Sequence, residues 1–200
     1  TLFGQNSTGG AINVVTQAPT MDETYGSADL TLGDHGLFKV RAGFNRPLSD
    51  NLAMRASFIS NIRDGFTENL SNGQDLDDAD SFSARVRLKY EPSDTFRANF
   101  MAQIFDEDRN GAAQKGIIDP TPDPRQLRQN STTEHKLEAQ LFSAVLEWDL
   151  ESFSVKSLTS YQVDDILVRR DNDRNDLRYL PPFALLPSEY DPETNKQTTV

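Results

Sequence analysis

Few side chains in this sequence could carry catalysis or hold a metal. The two histidines, His35 and His135, stand in strongly polar surroundings, and cysteine is absent. Neither histidine follows the strand, turn and helix pattern of a hydrolase nucleophile, and two histidines without cysteine are too few for the usual transition-metal site. The sequence therefore predicts no catalytic group, no resident metal and no cofactor.

Carboxylates are concentrated in three segments, one of which could attract a cation. The segment with the most carboxylates is 75–80, Asp-Leu-Asp-Asp-Ala-Asp, and calcium favours several oxygen ligands in a flexible loop. This segment lacks the glycine and the terminal glutamate of an EF-hand loop. We interpret it as an acidic loop exposed to water, and we extend that interpretation to 106–108 and 171–176.

Basic side chains alternate with apolar ones along several stretches. Since successive side chains of a strand point to opposite faces, the basic residues should share one face and the apolar residues the other. A basic face could attract an anionic ligand, or it could pair with carboxylates of the same protein, and we favour the pairing. The residues concerned are Lys39, Arg41, Arg55, Arg85, Arg87, Lys89 and Arg97. The formal net charge of -11 argues against nucleic acid as a partner.

The same period-two alternation predicts an all-β fold with seven antiparallel strands and the start of an eighth. A switch of parity between Leu141 and Phe142 predicts a β-bulge near Leu141. The predicted strands cover 23–32, 38–45, 52–62, 81–90, 96–104, 138–150 and 153–165, and the eighth begins after Lys196.

The connections between these strands alternate between short and long. Long structureless loops are uncommon in compact soluble domains, whereas an up-and-down membrane barrel combines short turns at one rim with long loops at the other. Aromatic side chains flank two of the short turns, as in the interfacial girdle of such a barrel. The short turns lie near residues 49, 93 and 151, the long connections cover 63–80, 106–134 and 167–195, and the aromatic residues are Tyr90, Phe96, Trp148 and Phe153.

Residues 1–19 combine a glycine-rich turn with a β-branched strand that a proline ends. A phosphate-binding loop is the competing interpretation, but no lysine and no helical pattern follow the glycines. The segment resembles the end of the plug domain in TonB-dependent receptors, where a similar pattern leads into the barrel. The matching positions are Leu2, Phe3, Gly4, Asn6, Gly9, Gly10, Ile12 and Asn13, followed by Thr16 and Pro19.

This resemblance implies a barrel of 22 strands closed around an N-terminal plug. The seven basic residues named above would face the lumen of this barrel. Residues 1–20 would be the C-terminal end of the plug, and residues 21–200 the N-terminal portion of the transmembrane barrel. The chain opens inside a motif and stops inside a strand, so we expect a fragment with about 7–8 strands of the barrel. The implied partners are outer-membrane lipid, the TonB complex through a missing N-terminal segment, and a small ligand such as a ferric chelate.

The expected function is active uptake of a scarce solute by a TonB-dependent receptor in the bacterial outer membrane. The favoured solute is a ferric siderophore. Connections 106–134 and 167–195 are expected to contact the ligand. The alternatives are import of cobalamin or glycans, a passive porin-like barrel, and a soluble all-β binding module. The soluble module predicts that the apolar faces of 82–90 and 96–104 pack on each other in a closed core.

Overall fold

Two β-sheets make up the computed structural model, which describes residues 15–176 and 178 and the backbone of 193–199. The large sheet has eight strands in the order β1-β2-β3-β6-β7-β9-β10-β11, and the small sheet has the order β5-β4-β8. The strands are β1 Tyr25–Leu32, β2 Phe38–Ser49, β3 Leu52–Arg63, β4 Thr67–Asn69, β5 Gln74–Leu76, β6 Ala79–Ser93, β7 Phe96–Arg109, β8 Gln126–Leu127, β9 Glu134–Asp149, β10 Ser154–Arg170 and β11 Glu193–Thr199.

All neighbouring strands of the large sheet are antiparallel, so the predicted all-β antiparallel fold is confirmed. The seven predicted strands and the beginning of the eighth correspond to its members in order. Within the described residues this sheet is open, with β1 and β11 at its edges. No described residue belongs to a helix that is long and apolar enough to cross a membrane.

The large sheet has one apolar face and one polar face. Its strand pairing places the apolar positions of each strand beside the apolar positions of the next. Ala42 pairs with Phe58, for example, and Phe58 with Ala84. Among the exposed large hydrophobic residues of β1 to β10 in this sheet, only Leu158 lies on the polar face. The others are Leu30, Leu32, Phe38, Phe44, Leu48, Phe58, Ile62, Phe82, Val86, Tyr90, Phe100, Ile104, Phe142, Leu146, Trp148, Val155 and Tyr161.

The strands that the soluble alternative would pack face to face lie side by side. β6 and β7 are hydrogen-bonded neighbours, with Val86 opposite Ala102 and Leu88 opposite Phe100. Their apolar side chains therefore point to the same side, and Phe100 remains 43% exposed. No closed core forms between these two faces in the described part of the chain.

The predicted bulge near Leu141 is wrong. Both registers of β9 run without interruption through this position, where Leu141 pairs with Gln103 on one side and Gln162 on the other. Leu141 simply lies on the polar face, which also carries Val145 and Leu158. The register irregularities of the large sheet lie instead beside short turns, between Pro47 and Ser49 and between Tyr90 and Ser93.

Several strands continue beyond their apolar stretch. On β7 the apolar face extends over nine residues, from Phe96 to Ile104. Beyond Ile104 the same face carries Asp106 and Asp108, although the strand continues to Arg109. The long connections are correspondingly shorter than predicted, and two of them contain the small sheet.

Candidate functional site

The register places all seven predicted basic residues on the polar face of the large sheet. Arg55 pairs directly with Arg87, and Arg85 follows on the same strand and face. Lys39 and Arg41 lie on β2, Lys89 on β6 and Arg97 on β7. The basic side chains and the exposed apolar side chains therefore occupy opposite faces of one sheet.

Residues 15–20 run across this polar face without joining the sheet. Arg87 Nη1 donates hydrogen bonds to Thr16, at 2.8 Å to its carbonyl oxygen and 3.1 Å to its hydroxyl. At the other end of the segment, the fully buried amide of Asn45 bonds to Thr20. Its Nδ2 donates to the Thr20 carbonyl and its Oδ1 accepts from the Thr20 N–H, both at 3.0 Å. The motif at residues 2–13 lies outside the described residues.

Three of the basic residues pair with nearby carboxylates. The ion-pair distances are 3.3 Å for Arg41 with Asp29, 3.0 Å for Lys89 with Glu91, and 2.6 Å for Arg97 with Asp149. Arg41 and Asp29 are largely exposed, so their pair contributes little to stability. These pairs agree with the structural use of the basic residues that the sequence favoured.

The remaining arginines surround a cavity of about 130 Å³ on the polar face, here called the arginine pocket. No described carboxylate forms an ion pair with any of the three. Arg85 is oriented by Gln103, whose Oε1 accepts from Arg85 Nε at 2.9 Å and from Nη2 at 2.6 Å. The pocket is lined by Thr16, Gln17, Arg55, Ser57, Arg85 and Arg87.

Two long connections fold together beyond one end of the large sheet. Residues 64–78 and 110–133, here called the loop module, contribute β5, β4 and β8 to the small sheet. Leu76 and Leu127 are fully buried in it, and so are the polar side chains of Asn69 and Gln129. Asn69 Nδ2 donates to the Gln129 carbonyl at 2.9 Å, and Asn69 Oδ1 accepts from the Gln129 N–H at 3.0 Å. Side-chain amides thus add to the short parallel pairing of β4 with β8 that joins the two connections.

The acidic segments are only in part the water-exposed loops that the sequence favoured: Asp75, Asp80, Asp106 and Asp108 are exposed, whereas Asp77 and Asp78 are half-buried. Asp77 Oδ1 accepts from the Ala113 N–H at 2.9 Å, and Asp78 Oδ1 accepts from the Asn110 N–H at 2.9 Å. These carboxylates therefore join the two halves of the loop module. Segment 106–108 belongs to β7, where Asp108 pairs with Lys136 at 3.1 Å. No group of metal-ligating side chains was found among the described residues.

The third acidic segment is also partly buried. Asp171 is 1% exposed and accepts backbone hydrogen bonds from Ser131 at 3.2 Å and from Arg174 at 2.9 Å. Burial, reinforced by the neighbouring Asp173, raises the pKa of Asp171 to about 6. Asp176 is 2% exposed, and hydrogen bonding from Arg178 lowers its pKa to about 2. The expectation that 171–176 is exposed to water is therefore wrong at these two positions.

The histidines lie at the loop end of the large sheet. The ring of His35 is 5.7 Å from the ring of Phe66, centroid to centroid. His135 Nδ1 is 3.8 Å from a carboxylate oxygen of Glu107. These contacts place the two rings against an aromatic side chain and an acidic strand residue respectively.

The residues that sequence reasoning missed are amides with distant partners. Asn45 joins the crossing segment to β2, whereas Asn69 and Gln129 are separated by 60 positions in the chain. An isolated asparagine or glutamine in a polar stretch carries no signal that separates a buried hydrogen-bonding role from an exposed turn. Comparisons of this chain with protein-family models, curated proteins and solved structures gave no match.

Proposed function

We propose that this chain is part of a TonB-dependent receptor of the bacterial outer membrane and supplies strands of its transmembrane barrel. The observation that carries the proposal is the separation of exposed apolar side chains and basic side chains onto opposite faces of one sheet. A continuous apolar face of this size is unfavourable in water, whereas a bilayer is a suitable solvent for it. In a closed barrel the sheet would have no open edges within the lipid.

The two ends of the large sheet support a defined orientation in the membrane. Short turns lie at one end, as at a periplasmic rim, and the loop module lies at the other, as at an extracellular rim. At the short-turn end the rings of Phe96 and Trp148 meet edge to face at 5.5 Å. Aromatic side chains at this level are typical of the membrane interface.

The plug assignment depends on the motif at residues 2–13 and is supported by the path of residues 15–20. A segment that crosses the polar face and bonds to Asn45 and Arg87 would lie inside the barrel. This is the position expected for a chain that leaves a plug and enters the first strand. A plugged barrel needs energy to open, which makes the TonB complex a partner.

The transported solute would meet the loops first and the basic lumen next. Connections 106–134 and 167–195 remain the proposed ligand contacts, and the loop module would present the first of them in a defined shape. A ferric siderophore is the favoured solute because such chelates are often anionic and the lumen face carries unpaired arginines. No metal or cofactor is proposed as a resident group.

The proposal is tested by uptake in a strain that lacks the gene. Iron supplied as individual ferric chelates should enter the complemented strain only when TonB is intact. Complementation with Asn69→Ala should give less uptake than the wild-type gene, because the loop module loses a buried connection. Complementation with Asn72→Ala, a change at an exposed neighbour, should give wild-type uptake.

The outcome also separates the alternatives. Uptake that does not depend on TonB would contradict the proposal and favour a passive barrel, which shares the same sheet. In another outcome, the strain that lacks the gene uses every ferric chelate normally and loses TonB-dependent uptake of cobalamin or a glycan. That result would keep the receptor class and change the solute.

A further inference from the structure

The arginine pocket brings three guanidinium groups to one place on the polar face. Arg55 on β3 lies directly opposite Arg87 on β6, and Arg85 lies two residues away on the same face. The cavity between them has a volume of about 130 Å³.

Neutral groups hold all three arginines in position. Arg85 bonds to the amide oxygen of Gln103, and Arg87 bonds to Thr16. The guanidinium of Arg55 lies over the ring of Tyr25, with 5.4 Å from its central carbon to the ring centroid. Gly43 leaves space for it, because a Cβ there would lie 3.1 Å from Arg55 Nη2. The fork-shaped donors are thus oriented without a carboxylate from the described residues.

The lack of a carboxylate partner among the described residues distinguishes the three pocket arginines from three other residues of the basic face. Arg41, Lys89 and Arg97 each have a carboxylate partner within 3.3 Å. In the pocket, Arg55 Nη1 is buried and has no hydrogen-bond partner. A buried donor without an acceptor is destabilising, and three like charges around one cavity add to the cost.

We propose that the arginine pocket binds an oxyanion, either a carboxylate or a phosphate group. Oriented guanidinium groups bind such groups through paired, charge-assisted hydrogen bonds, and the free Arg55 Nη1 supplies a donor. The oxyanion has two possible sources, a dissolved molecule or an acidic side chain of the same protein. The inference goes beyond the proposed function, because anion binding here does not require transport.

Binding is tested with the purified protein in neutral detergent, where transport plays no part. Inorganic phosphate is titrated by calorimetry at low ionic strength into the wild type, Arg55→Gln and Lys39→Gln. Lys39→Gln removes one positive charge from the same face outside the pocket. If the oxyanion is a dissolved molecule, the wild type and Lys39→Gln bind phosphate, and Arg55→Gln binds at least tenfold more weakly.

The other source gives a different result. If an acidic side chain of the protein fills the pocket, added phosphate does not bind, and Arg55→Gln unfolds at a lower temperature than Lys39→Gln. The isosteric Gln103→Glu places a carboxylate beside Arg85. With a dissolved oxyanion it should weaken phosphate binding. With an internal one it should lower the unfolding temperature, because the new charge repels the resident carboxylate.

The inference is overturned if neither phosphate binding nor a lower unfolding temperature of Arg55→Gln is observed. Wild-type protein that binds no phosphate, together with Arg55→Gln and Lys39→Gln that unfold at the same temperature, would mean that no oxyanion occupies the pocket. Equal phosphate affinity in the wild type, Arg55→Gln and Gln103→Glu would likewise place the binding elsewhere. Either result leaves the uptake experiment unaffected, so the two proposals fail independently.

Discussion

The large sheet and the loop module are built in opposite ways. The sheet exposes its large apolar side chains, with Phe58 at 41% and Trp148 at 54%, whereas the loop module buries the amides of Asn69 and Gln129 almost completely. Proteins in water normally bury large apolar groups and expose amides. On the proposed function, the apolar sheet face meets lipid, and the loop module lies in water, where its buried amides are stable because they are hydrogen-bonded.

The two regions also obtain their order from different interactions. Backbone pairing in the sheet is continuous along β6, β7 and β9 and needs few side-chain contacts. The loop module has only short strands, and side-chain amides complete its hydrogen bonds, as between Gln74 and the backbone of Thr133 at 2.7 and 3.0 Å. Changes on the sheet face should therefore act through the solvent, and changes in the loop module through lost hydrogen bonds.

The largest effect is expected from a charge on the apolar face. Ala102 is exposed there between Val86 and Phe142. Ala102→Arg should destabilise the membrane-inserted protein by about 2–4 kcal/mol, because a cation near the middle of the bilayer is poorly solvated. The measurement is the recovery of folded protein in the outer-membrane fraction and its unfolding temperature.

The matched control for that variant lies on the opposite face. Ala139 faces the polar side, where Asp164 is its cross-strand partner, so Ala139→Arg should be tolerated. Equal losses from both variants would mean that the two faces do not meet different solvents.

A somewhat smaller effect is expected inside the loop module. Asn69→Ala leaves both the N–H and the carbonyl of Gln129 without their partner, at an expected cost of about 2–3 kcal/mol in local stability. Hydrogen exchange in the loop module should accelerate while exchange in β6 and β7 stays unchanged. Asn72→Ala is the control, since this exposed residue donates one bond to Ser131 and accepts one from its near neighbour Gln74. Unchanged exchange in Asn69→Ala would contradict the role assigned to the amides.

A change of pH between 5 and 7.5 should affect the loop module through Asp171, which bonds to Ser131. Because burial raises the pKa of Asp171 to about 6, from an ordinary value of 3.8, the folded state binds a proton more tightly than the unfolded state. Its contribution to stability is therefore fully present below about pH 3.8 and is lost as the pH rises through about 6. Between pH 5 and pH 7.5, exchange near Ser131, corrected for the intrinsic rate, should rise roughly tenfold. Asp171→Asn should remove this dependence, and a persistent rise in that variant would assign it to another group.

The smallest effect is expected at an exposed ion pair of the sheet. Arg41 and Asp29 are both more than half exposed, so Arg41→Gln should change the unfolding temperature very little, corresponding to less than about 1 kcal/mol. Asn45→Ala, on the same strand, should have a clearly larger effect, because it releases the segment at Thr20. Equal effects of the two variants would mean that the crossing segment is not held by Asn45.

The sequence predicted the large sheet well because alternation is a local signal that each strand carries by itself. The short turns followed from the same pattern. The bulge at Leu141 was predicted wrongly because apolar residues also occur on the polar face, as Val145 and Leu158 illustrate. The alternation of apolar and polar residues therefore does not by itself assign every residue to a face.

The loop module could not be predicted because its contacts are not local. Asn69 and Gln129 are partners across 60 positions, and Asp171 accepts from Ser131 across 40 positions. Polar residues in a long connection look alike in sequence, whether they face water or complete a buried backbone bond. For the candidate site, the sequence predicted which face carries the basic residues, but not which of them lack a carboxylate.

The most direct test of the account compares the solvent on the two faces of the sheet. The sequence of this chain contains no cysteine, so Ala102→Cys and Ala139→Cys each introduce a single labelling site into it. In lipid bilayers, the label at position 102 should collide mainly with oxygen, which concentrates in the bilayer. The label at position 139 should collide mainly with a water-soluble nickel chelate. Similar exposure of both labels to the nickel chelate would contradict the assignment of the apolar face to lipid.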